Sequence, residues 1–226
     1  MFKGLALYYI LSMLTRNPIL ALILLVAIYA VADRAYFGFL PDFFGPLKRN
    51  ARIKNLRSVL ELNPANADAA QELGTLYFEK GKYGQALKYL LMANIKVDNS
   101  ARLYLYLGMS YMELEDAENG KRALDKAVQL DGKVGHGLPC IYLLQYELIY
   151  HVTPEVKEEL EKGLANFANT ENFYRMGMVF KNQGYRGKAK DMFSRAIEEY
   201  IYVPKRMRRI HRKWAILSRV QRMLMV

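Results

Sequence analysis

The sequence predicts an all-α protein: a solenoid of helical hairpins, preceded by an N-terminal transmembrane helix and ended by a basic amphipathic helix. Three observations carry this. LGTLYFEKGKYGQALKYLLMA, residues 73–93, returns as LGMSYMELEDAENGKRALDKA at residues 107–127, one interval of 34 residues later, and a period of that size marks stacked helical units. The run NPILALILLVAIYAVA, residues 17–32, carries no charge. The last stretch, PKRMRRIHRKWAILSRVQRMLMV, carries eight Lys and Arg and no acid.

Charge and length bound the rest. The chain has 226 residues, 52% of them apolar, with a formal net charge of +11, so it can bury a sizeable core and is suited to negatively charged partners. Lys and Arg less Asp and Glu gives +1 over residues 1–42, +5 over 43–60, −3 over 61–199 and +8 over 200–226. The basic charge therefore flanks a mildly acidic middle. The single cysteine, Cys140, excludes an intramolecular disulfide framework and says little about compartment.

At the N-terminus, Pro18 to Ala32 as a helix covers about 22 Å, short of the roughly 30 Å of a bilayer's hydrocarbon core. A second uncharged run, GLALYYILSMLT at residues 4–15, precedes it, and AYFGFLPDFFGPL follows with Tyr36, Phe37, Phe39, Phe43 and Phe44, residues suited to a headgroup belt. Residues 1–45 are thus expected to form a membrane anchor with a single span near residues 15–37. Lys3 and Arg16 precede that span, and Arg34, Lys48, Arg49 and Arg52 follow it, which sets the large domain in the cytoplasm. Two other readings of the segment are a cleaved signal peptide, with AVA at residues 30–32 as the small-x-small site, and a buried core helix.

Laid in register, residues 67–100 and 101–134 put Ala70, Leu73, Gly74 and Tyr77 against Tyr104, Leu107, Gly108 and Tyr111, then Ala86, Leu90 and Ala93 against Gly120, Leu124 and Ala127. Spacings of three and four residues set each group on one helical face. These residues resemble the signature of the tetratricopeptide repeat family. Residues 170–203 give another match, with Phe173, Met176, Gly177 and Phe180, then Gly184, Ala189, Phe193 and Ala196. ELNPAN at residues 61–66 looks like the end of an earlier unit that has only its second helix. Residues 135–169 depart from the pattern: LPCIYLLQYELIYH and PEVKEELEKGLANFAN suit a helical pair, but Leu-Gly is missing. The solenoid is expected over residues 46–203, with a basic capping helix at 204–226.

The resemblance implies a partner-binding concave face lined by the first helix of each unit. Asp68, Gln71, Thr75 and Phe78 would present there, then Arg102, Leu105, Met109 and Met112, then Glu171, Tyr174, Met178 and Lys181. This is an oily surface with charged edges, suited to an apolar extended or helical segment, with membrane proteins among the candidate partners. The alternative is that the chain's own helix at 138–150, or its tail, covers the face. The paired Lys and Asn with which some family members clamp a carboxyl terminus are absent at Gln71, Thr75, Leu105 and Met109.

In the tail Met207, Ile210, Trp214, Leu217, Val220 and Leu224 form a helical stripe, which suits either a cap on the last pair or an amphipathic helix resting on a surface. Lys48, Arg49 and Arg52, with Lys205, Arg206, Arg208, Arg209, Arg212 and Lys213, are candidates for an anionic membrane surface; nucleic acid ranks below lipid or an acidic protein. Catalysis has little support. His136, His151 and His211 are scattered, and GKVGHGLPC at residues 132–140 begins like a dinucleotide fingerprint but has Cys140 where the last glycine belongs. His136 and Cys140 read as a loop residue and a buried thiol. No cofactor or metal is expected. The function that follows is a non-catalytic, membrane-tethered scaffold or assembly factor. The alternatives are an exported or soluble chaperone-like binding module after signal cleavage and, less favoured, a nucleic-acid binder through the tail.

Overall fold

The computed structural model describes residues 2–32, 45–150 and 166–225. Among these the elements are helices throughout: α1 (Phe2–Thr15), α2 (Pro18–Ala32), α3 (Gly45–Leu62), α4 (Ala67–Glu79), α5 (Tyr83–Asn94), α6 (Ala101–Glu113), α7 (Ala117–Leu130), a 3-10 turn (Val134–Gly137), α8 (Leu138–Tyr150), α9 (Thr170–Asn182), α10 (Arg186–Tyr202) and α11 (Arg208–Met223). The chain divides into two units, residues 1–43 with 204–210, and residues 44–203 with 211–226. The aromatic segment at 36–44 and the second helix expected near 154–165 lie outside the described residues.

The first unit overturns the expected single span. Arg16 takes a left-handed φ of 51°, and the Asn17 side chain accepts from the backbone N–H groups of Ile19 and Leu20 at 2.9 and 3.2 Å. With Pro18 at the first helical position, this is a helix start. The two apolar runs therefore form separate helices of 14 and 15 residues, about 21 and 22 Å long. They pack on each other with Ala21 buried, while Leu5, Ile10, Met13, Ile19, Ile23, Val26 and Val31 stay exposed. No helix among the described residues is long and apolar enough to cross a membrane. That finding removes the single-pass assignment and the cytoplasmic placement of the large domain that depended on it.

In the second unit each hairpin is built the same way. Leu73, Ala70 and Tyr77 of α4 are buried against Ala86, Leu90 and Ala93 of α5, and Leu107 and Tyr104 of α6 against Leu124 and Ala127 of α7. Glycine follows the leucine because the partner helix leaves it no room. A Cβ on Gly74 would stand 2.6 Å from Leu90 Cγ, on Gly108 2.6 Å from Leu124 Cγ, and on Gly177 2.6 Å from the Phe193 ring. One hairpin cannot cover its own apolar face, so the next hairpin covers it. The first helices start on side-chain caps: Asn66, Ser100 and Asn169 accept from the N–H groups of Ala69, Leu103 and Asn172 at 2.9, 3.2 and 2.9 Å.

After α7 the stack changes. Gly135, His136 and Gly137 all have positive φ, and the backbone at Gly135 lies close enough to Leu105 that a Cβ there would meet Leu105 Cδ2 at 2.7 Å. Asn172, buried at the start of α9, donates to the carbonyls of His136 and Phe167 at 2.7 and 2.9 Å. This glycine-rich turn is a structural staple between α6 and α9. α9 and α10 then form a hairpin of the same kind, with Met176, Phe180, Ala189, Phe193 and Ala196 buried.

Candidate functional site

The first helices of the hairpins do not present one continuous oily groove. Leu105 and Met109 are each only 3% exposed and belong to the core, with Leu138, Tyr142 and Leu143 of the chain's own next helix packed into the same cluster. Phe78 is half-buried, tilted against Tyr83 and edge-on to Tyr106 at centroid distances of 5.3 and 5.5 Å. Met112 is half-buried, its Cγ lying 2.8 Å from where a Cβ on Gly120 would stand. The apolar middle of the expected surface is thus taken up by the chain's own packing.

At one end an open cleft of about 430 Å³ runs along α4, lined by Asp68, Gln71, Glu72, Thr75, Leu76 and Glu79, with Arg102 of α6 on its far wall. Thr75 is buried, its hydroxyl donating to the Gln71 carbonyl at 3.0 Å; Gln71 is half-buried and Arg102 exposed. The cleft's three carboxylates, Asp68, Glu72 and Glu79, are offset by Arg102 in the lining and by Arg49 and Arg52 of α3. Two of its carboxylates are tied to α3: Arg52 forms a two-pronged pair with Glu72 at 2.6 Å on each prong, and Arg49 meets Glu79 at 3.3 Å. Hydrogen bonding from Arg52, ahead of its charge, holds the Glu72 carboxyl below its ordinary range. Glu72, Leu76 and Glu79 were absent from the sequence-based set. Their signal was legible: Asp68, Glu72 and Glu79, at spacings of four and seven residues, share a helical face.

At the other end the tail fills the groove. A smaller cavity of about 290 Å³ lies between α8, α9 and α11, with Tyr142, Tyr174, Met178 and Trp214 in its walls. Trp214 lies against Tyr174 at 5.3 Å between ring centroids, with the Arg175 guanidinium 5.2 Å above it. Lys181 donates to the Gln221 side chain at 2.6 Å, and Glu171 holds Arg175 at 2.8 Å. Tyr142 donates to Glu113 at 2.9 Å; burial, then the Glu113 charge, raises its pKa. Cys140 is half-buried and its thiol is pushed up by burial, an environment that keeps a thiol protonated.

α11 docks through a face other than its apolar stripe. Ala215 and Ser218 are buried, and His211, Trp214 and Gln221 half-buried, whereas Met207, Ile210, Leu217, Val220 and Leu224 are exposed. Of the basic candidates, Arg49 and Arg52 are held by α4 carboxylates, Lys213 lies over the Trp214 ring at 4.2 Å, and Arg208 and Arg212 are half-buried. Lys48, Lys205, Arg206 and Arg209 are exposed.

Stacked helical hairpins with a concave cleft define the class of helical-repeat interaction proteins. Family models of the tetratricopeptide repeat match residues 56–88 and 101–134, so the chain carries tetratricopeptide repeats. It is 32% identical over 113 residues to a protein of Drosophila melanogaster named as a homolog of the BBSome complex member BBS4, covering 49% of this chain and 23% of that one. It is 34% identical over 89 residues to BBSome complex member BBS4 of Bos taurus, covering 39% and 17%. The chain therefore spans less than a quarter of the length of these curated relatives. Among solved structures, one of MamA superposes with a TM-score of 0.51 at 18% identity, covering 71% of this chain and 96% of that one, a likeness of fold alone. The all-helical solenoid is thereby established, and tetratricopeptide repeat proteins of this kind act as protein-interaction scaffolds.

Proposed function

We propose that this chain is a non-catalytic scaffold that holds an extended, basic segment of a partner protein in the cleft along α4. One observation carries the reading: the open stretch of the concave face brings Asp68, Glu72 and Glu79 together around Gln71 and Thr75, so a segment bearing Lys or Arg meets Asp68 directly and competes with Arg52 and Arg49 for the other two carboxylates. The apolar ligand suggested by Leu105 and Met109 gives way to a charged one because those side chains are already in the core. The curated relatives are named for membership of the BBSome complex, which supports an assembly role. The reading calls on no membrane-crossing helix.

The test is the double substitution Asp68→Lys with Gln71→Lys, both on the cleft wall and away from the glycine contacts. Co-purification of the partner should be lost while helix content by circular dichroism stays unchanged. Undiminished co-purification with unaltered helix content would sink the proposal.

A further inference from the structure

α11 turns its small and polar face to the protein and its apolar face outward. Ile216, Leu217, Val220, Met223 and Leu224 are all exposed, the last two at 75% and 72%. Their positions, i, i+1, i+4, i+7 and i+8, form one continuous stripe. Lys213 stands one turn before it and Arg219 flanks it, both exposed, and no acid occurs between residues 200 and 226. The inward seat is imperfect: Ser218 is fully buried and its hydroxyl, like His211 Nδ1, has no hydrogen-bond partner among the described residues.

A helix that only capped the stack would bury its apolar stripe and leave its polar residues in water. Here the stripe stays exposed together with its neighbouring cations, so it calls for an occupant outside this unit. We infer that the outward face of α11 binds an anionic lipid surface, lying in the interface with Leu217, Val220 and Leu224 among the acyl chains and Lys213 and Arg219 at the headgroups. Charge selects lipid: an apolar stripe edged by cations alone matches a surface that offers hydrocarbon and negative headgroups side by side. Trp214 faces the other way, so docking on α9 and binding at the surface occur together. The interaction is peripheral and requires no crossing helix. It is independent of the α4 cleft.

The test places an environment-sensitive fluorophore at position 223 of the full chain, through Met223→Cys in a Cys140→Ser background. Mixed phosphatidylcholine–phosphatidylserine vesicles should shift its emission to the blue, and phosphatidylcholine vesicles alone should not. Adding Arg219→Ala should weaken the titration about fivefold, with circular dichroism unchanged. Because the probe reports on α11 alone, vesicle binding through any other part of the chain leaves it silent. No emission change with the mixed vesicles, an equal change with phosphatidylcholine alone, or a change with a polyglutamate peptide but not with vesicles would each overturn the assignment.

Discussion

Substituting Gly108 by alanine tests the packing that makes the repeats stack. The new Cβ would lie 2.6 Å from Leu124 Cγ, 2.9 Å from its Cδ2 and 2.9 Å from its backbone nitrogen, where ordinary contact begins at 3.4 Å. Leu124 is fully buried, so its side chain has nowhere to turn, and the backbone contact forces α7 away from α6. Overpacking of this kind costs about 1–3 kcal/mol, against a gain of about 1 kcal/mol from the better helix propensity of alanine. With a backbone atom among the obstacles, the net loss should be about 1–2 kcal/mol, a fall in Tm of about 2–8 °C for a chain of this size. Gly187→Ala is the matched control. It sits in α10 with nothing within 4 Å of the added atom, so it should gain about 0.5 kcal/mol. Thermal melts followed by circular dichroism read both. If Gly108→Ala melts at or above the parent temperature, the close approach of α6 and α7 is not what the glycine serves.

Three further outcomes follow from named contacts. Asn169→Ala removes the cap that accepts from Asn172 N at 2.9 Å and should cost about 1 kcal/mol in urea unfolding; no loss would mean that α9 starts without it. Glu147 is buried on α8 with Lys121 3.9 Å away and one carboxylate oxygen unpartnered, and burial raises its pKa. A raised pKa in the folded chain favours the protonated form, so stability is fully present in acid and falls as pH rises through the raised value. Glu147→Gln should therefore be the more stable form near neutral pH, with the difference closing below the ordinary carboxylate range; an equal gap at both pH values would refute the titration. Trp214→Ala should loosen α11 by removing its contacts with Tyr174 and Arg175. Trypsin cleavage within α11 should then quicken by up to about tenfold while α9 and α10 stay intact, and an unchanged rate would show that Trp214 does not hold the helix.

The stack was legible in the sequence because its physics is local and repeated. Leu73-Gly74, Leu107-Gly108 and the run through Met176-Gly177 each encode one close helix–helix approach, and the spacing repeats because the approach repeats. The break between α1 and α2 was also written there, since Asn17-Pro18 is a helix start; the span expected near residues 15–37 ran beyond the 15 residues of α2, Pro18–Ala32, at both ends. The course of the groove was less accessible. Whether Leu105 and Met109 face solvent depends on Gly135, His136 and Gly137 folding back over α6, a consequence of three left-handed residues with no periodic signal. The docking face of α11 was hidden for a related reason. The apolar stripe is the strongest pattern in the tail, but Trp214 bridges to Tyr174 and Gln221 accepts from Lys181, so reach decided the face rather than hydropathy.

The most direct test of the account is an amide NMR titration of the full chain with a short extended peptide rich in Lys and Arg. Shifts confined to Asp68, Gln71, Glu72, Thr75, Glu79 and Arg102, weakening as salt screens the charges, are the predicted result. Shifts on the outer helices α5, α7 and α10, or none at any concentration, would contradict it.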